Sequence, residues 1–263
     1  MKLPRAAVRV IARGKPLVPR SAWPLLNFAA SVRGSAPLQA LPRFRRVVVA
    51  CAHPDDELAC AGTLANLAAI GADIEVVYAT AGEGTLGSPY SPSETGARRR
   101  SEAEKVCSML GVRRSTFLGF ADGSLAAELA QLTDRLGAII KDRAPEVVFV
   151  PWFLDGHADH RAMSKAVANA DGGIPFEIWG YEWWTALVPN RLVDITSVWP
   201  KKEAAAKLHV TAAMAFDVGA GGLGLNRWRS IYGLHGVGYA EAFIAASQLE
   251  YRDLVDRFSA SHD

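Results

Sequence analysis

Acidic residues are missing from the first 54 positions of this 263-residue chain. Ten basic residues occupy that stretch: Lys2, Arg5, Arg9, Arg13, Lys15, Arg20, Arg33, Arg43, Arg45 and Arg46. The formal net charge of +2 therefore hides a basic front and a remainder with 19 basic and 27 acidic residues. A total so near neutral makes no case for nucleic-acid binding. Cysteine is scarce. Cys51, Cys60 and Cys107 are too few for a disulfide framework and lack the spacing of a thiolate metal site, so a reducing, cytoplasmic setting is expected. No apolar run approaches the ~18 residues of a membrane-spanning helix. The first thirty residues are broken by arginine and proline, which argues against the ~7–15-residue apolar centre of a secretion signal. Internal repeats and low-complexity segments are absent.

What remains has the composition of a globular enzyme: 50% hydrophobic and 21% charged. Residues 1–44, punctuated by six prolines, read as a basic extension, and residues 45–263 as the working domain. Val47 to Ala52, Ile74 to Thr80, Ser115 to Phe120 and Val147 to Trp152 read as buried strands. Helices are expected after the first strand up to about Gly71, then from about Ala97 to Leu110, from Ser124 to about Asp142, and from near Asp159. Gly82 to Gly96 reads as a loop. Beyond residue 175 the pattern is mixed, with a strand over Glu177 to Trp184, a helix over Lys201 to Ala213, and a Gly-rich loop over Gly219 to Gly224. This alternation predicts an α/β fold: a Rossmann-like three-layer sandwich with a mostly parallel sheet and helices on both faces.

Two polar clusters interrupt the pattern where strands end. The first is Ala52-His53-Pro54-Asp55-Asp56-Glu57 and the second Asp155-Gly156-His157-Ala158-Asp159-His160. Acidic side chains favour helix N-termini, and Asp159 suits an N-cap, but capping does not account for the histidines. So many carboxylates beside imidazoles are costly unless something positive sits among them. Catalytic zinc takes about three ligands from His, Asp and Glu and leaves a fourth position for water. In open α/β sheets the ligand site lies outside the carboxyl ends of the strands, where both clusters fall.

The Ala-His-Pro-Asp-Asp-Glu run and the downstream His-x-Asp-His resemble the GlcNAc-phosphatidylinositol de-N-acetylase family, also called PIG-L or LmbE-like. The likeness runs from about residue 46 to 245 and includes Arg99-x-x-Glu102, Phe117-Leu118-Gly119, Asp122-Gly123, Val193-Asp194-Ile195-Thr196, Lys202, His209 and Tyr239-Ala240-Glu241-Ala242-Phe243. It implies a Rossmann-like deacetylase that hydrolyses the acetamide of an N-acetylated amino sugar conjugate. By the same resemblance His53, Asp56 and His160 hold Zn2+ or another divalent metal. Asp55 matches the general base and His157 the group that steadies the oxyanion and protonates the amine. Asp159 matches the carboxylate that orients and charges His157. Arg99 matches a position gripping substrate, and Asp122 one approaching sugar hydroxyls. Glu57 is expected to order the motif by hydrogen bonds, and His209 to be structural. The chain departs from the family in its additional first 45 or so residues and in Val210-Thr211-Ala212 after His209, where Ser-Gln is common.

Two rival readings stay open here. One is a zinc amidase for a bulkier amide, such as a thiol conjugate of an amino sugar. The other is a non-catalytic nucleotide- or sugar-binding module, although the Gly-x-Gly-x-x-Gly fingerprint is missing after the first strand. Residues 2–13, read as a helix, place Leu3, Ala6, Ala7, Val10 and Ile11 on one face with basic residues beside the other. That pattern suggests a weak peripheral membrane contact. Packing of the arm over the acidic core is the plainer expectation.

Overall fold

The computed structural model describes residues 38–214 and 217–259. Seven strands form one sheet: β1 (Arg46–Cys51), β2 (Asp73–Tyr78), β3 (Arg114–Phe117), β4 (Val147–Pro151), β5 (Glu177–Tyr181), β6 (Arg191–Asp194) and β7 (Ala240–Ser247). Their spatial order is β3-β2-β1-β4-β5-β7-β6. The first five are parallel, and β7 runs antiparallel to both neighbours. Seven helices accompany them: α1 (Ala61–Ala69), α2 (Pro92–Leu110), α3 (Leu129–Arg143), α4 (Ala158–Asn169), α5 (Trp199–Ala206), α6 (Val218–Gly233) and α7 (Gln248–Ser259). The expected α/β architecture with a mostly parallel sheet is the one observed.

Side chains alternate across a strand, and β1 divides its apolar residues accordingly. Val47, Val49 and Cys51 pack with Leu64 and Leu67 of α1 and Val106 and Leu110 of α2. Val48 and Ala50 pack with Leu136 and Ile140 of α3, Met163 and Val167 of α4, and Tyr251 of α7. Covering both faces is why β1 and β4 read as unbroken apolar runs. The chain winds from β1 outward to β3, then returns to place β4 on the other side of β1. The reversal opens a crevice between the carboxyl ends of β1 and β4, the two strands that precede the polar clusters.

Several boundaries differ from the sequence reading. Helix α2 begins at Pro92 inside the expected loop, because Ser91 and Glu94 form a reciprocal capping box with Pro92 in the first turn. The Gly-rich stretch expected as a loop is the first half of α6. Asp217 caps it by accepting from the Ala220 N–H at 2.9 Å, and Trp183 lies on its backbone so closely that a Cβ at Gly222 would come within 2.5 Å of the ring. The helix expected to Ala213 stops at Ala206. Strands β6 and β7 and helix α7 were not anticipated. Leu38 bridges to Leu192 on β6, and Phe44 packs edge-on against Trp179 at 5.5 Å, so the last residues of the expected extension join the fold. The expected helix over 2–13 lies outside the described residues. Among those described, no helix is long and apolar enough to cross a membrane.

Candidate metal centre

The first cluster turns sharply out of β1. Asp55 takes φ 121° and ψ −17°, a conformation that strains a residue bearing a Cβ. Three contacts hold it there. The Asp55 N–H donates to Glu57 Oε2 at 3.0 Å. Glu57, fully buried, meets His209 Nε2 through its other oxygen at 2.6 Å. The Arg99 guanidinium pairs with Asp55 Oδ1 at 2.9 Å and also donates to the Pro54 carbonyl. Arg99 reaches this point from α2 by passing over Gly82, whose backbone carbonyl and the Thr85 hydroxyl take its Nη1 at 3.1 and 2.8 Å. A Cβ at Gly82 would sit 2.1 Å from that nitrogen, so only glycine leaves the room.

The second cluster brings its imidazole from the first turn of α4. His160 Nε2 and Asp56 Oδ1 stand 3.1 Å apart, both buried. Neither atom has a hydrogen-bond partner of acceptable angle. Two buried polar atoms left this way are costly, and a shared cation explains both. Ligand atoms bonded to zinc at ~2.0–2.2 Å in a tetrahedron lie roughly 3.3 Å from each other. The far nitrogen of His160, Nδ1, meets Asp155 Oδ1 at 3.0 Å. That contact fixes the ring with its Nε2 toward Asp56, the usual second contact of a metal-bound histidine. Asp155 also accepts the His157 and Trp184 N–H groups at 2.9 and 3.1 Å. The sequence shows Asp155 as part of the second cluster without revealing its role. Its position five residues before His160 was the available signal.

His53 stands between the clusters. Its Nδ1 is 3.9 Å from Asp56 Oδ2, and its Nε2 is 3.0 Å from Asp122 Oδ1 and 3.3 Å from Asp159 Oδ2. Two triplets bring ligand atoms within 4.8 Å of one another: His53, His157 and His160, and His53, Asp122 and Asp159. The structure thus gathers His53, Asp56, Asp122, His157, Asp159 and His160 in one pocket, with Asp55 beside Asp56. Four carboxylates crowd two imidazoles. Burial pushes His53 down, but Asp122 and Asp159 outweigh it and raise it to about 9. Burial likewise opposes protonation of His160, yet Asp56 and Asp155 lift it to about 10. A divalent cation bound at these rings would displace their protons.

Asp159, His157, Arg99 and Asp122 take the following partners. The Asp159 carboxylate does not bond to the His157 ring. It accepts from the Gly123 and Leu125 N–H groups at 2.8 and 3.2 Å and faces His53. It is the Asp159 backbone N–H that donates to His157 Nδ1, at 3.2 Å, because His157 is the N-cap of α4. Burial, then His53 and His160, lower the His157 pKa, and the Asp159 N–H at Nδ1 leaves Nε2 as the ring's donor position. Arg99 is turned to Asp55, and Asp122 to His53 and to the Gly84 N–H at 3.0 Å.

Known proteins resemble the chain in sequence and fold. The sequence model of the PIG-L family, GlcNAc-PI de-N-acetylase, matches residues 48–170. The uncharacterized deacetylase YaiS of Escherichia coli K12 is 31% identical over 168 residues, 60% of this chain and 86% of that protein. The chain belongs to the PIG-L family. Within that family a 1D-myo-inositol 2-acetamido-2-deoxy-alpha-D-glucopyranoside deacetylase from Rhodococcus opacus is 32% identical over 177 residues, 53% of this chain and 61% of that one. The N,N'-diacetylchitobiose deacetylase of Pyrococcus horikoshii shares the PIG-L fold, with a TM-score of 0.66 at 24% identity over 95% of this chain and 96% of that one.

Proposed function

We propose that this PIG-L protein is a zinc-dependent N-deacetylase that hydrolyses the acetamide of an N-acetylglucosamine-type conjugate to acetate and a free amine. The observation that carries the reading is the fully buried pair of Asp56 Oδ1 and His160 Nε2, 3.1 Å apart, with His53 and Asp55 beside it. His53, Asp56 and His160 would hold the metal. When bound, zinc supplies Lewis acidity toward the amide carbonyl and acidifies water to a pKa near ~7. Burial raises the Asp55 pKa, although Arg99 pulls the other way, and a base whose pKa lies nearer the working pH takes a proton more effectively. Asp55 takes the proton of the attacking water, and the same proton is then at hand for the leaving nitrogen. His157, whose Nδ1 accepts the Asp159 N–H, donates from Nε2 to the developing oxyanion. Such a donor contributes about 10²–10³ in rate. The Rhodococcus relative's substrate supports the choice of an N-acetylglucosaminyl group.

The metal assignment has its own readout. His160→Ala should weaken zinc binding by at least about 10²-fold, beyond the effect of losing a supporting contact. Its far-ultraviolet circular dichroism should be unchanged, since His160 lies on α4 and takes no part in strand pairing. Metal content after gel filtration checks this, and near-stoichiometric zinc in a folded His160→Ala protein would refute it. The activity is tested by incubating metal-loaded protein with N-acetylglucosaminyl conjugates of inositol, malate and lipid and following free amine and acetate. Release of a larger acid from a bulkier amide, with no acetate from any conjugate, would favour the amidase reading instead.

A further inference from the structure

Helix α2 reaches Asp55 along two routes. Arg99 and Glu102 are three residues apart and so share one side of the helix. Arg99 takes the Asp55 carboxylate directly. Glu102 holds Thr211: its carboxylate accepts the Thr211 N–H at 3.1 Å and the Thr211 hydroxyl at 2.7 Å. Thr211 is buried while Val210 beside it is exposed, so the segment is drawn inward at Thr211.

Two residues back, the same anchor seats His209. Its N–H donates to the Ala206 carbonyl at 3.4 Å, and its carbonyl accepts the Ala213 N–H at 3.2 Å. The buried ring turns to Glu57, with Nε2 at 2.6 Å from Oε1. The other Glu57 oxygen takes the Asp55 N–H at 3.0 Å. Hydrogen bonds linked in this way strengthen one another where water is excluded. The relay ends on the backbone of a residue held at φ 121°, a conformation that only surrounding contacts sustain in a residue other than glycine.

We propose that His209 is a positioning residue for the catalytic base. Acting through Glu57, it fixes the Asp55 backbone, while Arg99 fixes the Asp55 carboxylate, so one helix sets both ends of the base. This role rests on the reading of Asp55 as that base. Freed from Glu57, the Asp55 peptide would relax toward ordinary φ and carry the carboxylate off its line to the attacking water. A displacement of about 1 Å is enough to cost about a hundredfold in rate.

Leucine is the substitution that tests this role. A cavity of about 20 Å³ adjoins the ring, lined also by Asp55 and Asp217, and alanine would enlarge it enough to admit water in the donor's place. Leucine fills the space and offers no donor. With an N-acetylglucosaminyl conjugate of inositol, malate or lipid that wild type deacetylates, His209→Leu should lower kcat about 10- to 100-fold, with KM within about twofold and zinc content unchanged. His209→Gln, whose amide can donate to Glu57 in place of Nε2, should recover most of that loss. In Asp55→Asn protein, His209→Leu should change the residual kcat by less than about twofold, because the base through which it acts is gone. A role confined to folding would lower both backgrounds alike. Should His209→Leu not fold, Thr211→Val tests the same relay: it keeps the backbone bond to Glu102, and kcat should fall about threefold with KM unchanged. Wild-type kcat in folded His209→Leu or in Thr211→Val, no recovery by glutamine, or equal losses in both backgrounds would overturn the role of His209 and leave the deacetylase reading standing. Absence of acetate from wild type with every conjugate would remove that reading, and the base with it.

Discussion

Asp55→Asn is expected to lower kcat by about 10²–10⁴-fold, the usual contribution of a positioned general base, while zinc content stays near wild type. Asparagine is the substitution of choice for a local reason. Position 55 sits at φ 121°, and asparagine tolerates positive φ better than alanine does. It also keeps an oxygen for Arg99 while losing the ability to accept a proton. The backbone N–H bond to Glu57 is untouched, so the neighbouring Asp56, a proposed ligand, should keep its place. Turnover measured beside metal content separates loss of the base from loss of the site. Wild-type turnover would place the base elsewhere.

Glu241→Ala should destabilise the fold by about 3–5 kcal/mol, the range for breaking a buried ion pair from one side. Glu241 is fully buried on β7. Its two oxygens accept the Gly62 and Thr63 N–H groups at 2.8 Å each, at the start of α1. Lys202 of α5 meets it at 2.6 Å and also reaches the Ala59 carbonyl at 3.3 Å. Alanine would strand a buried ammonium and two helix-start donors together. Denaturant unfolding should show the lowered midpoint with an unchanged slope. Lys202→Met with Glu241→Gln should recover part of the loss, since no charge then remains unpaired. A single Glu241→Ala variant with the wild-type midpoint would contradict this account.

Much of the first half of the molecule was legible because its signals are local. An unbroken apolar run such as Val147–Val150 announces a strand covered on both faces. The second half was harder for identifiable reasons. Strand β7 lies between β5 and β6, and its pairing is set by partners some fifty to seventy residues away. Glycines that usually mark a loop form α6 because Trp183 packs against that helix. The candidate ligands could be picked out as residue types in clusters, but their partners could not. Nothing in the string Asp155 to His160 says that Asp159 turns to His53 across the crevice while Asp155 supports His160. The capping box at Ser91 and Glu94 was readable and was passed over in favour of the surrounding glycine and proline.

The return of the chain from β3 to β4 has a further meaning for how the protein is made. Asp56 is synthesised roughly a hundred residues before His160, and closing so long a loop carries a conformational cost that grows only slowly with its length. Until β4 docks beside β1, the first cluster is a strained turn with surplus acid and no histidine from the second. The cation cradle is therefore completed late in synthesis, after the fourth strand has emerged. Metal capture at the proposed site would then report on assembly of the parallel sheet, and would fasten the earliest-made strand to one made more than halfway along the chain.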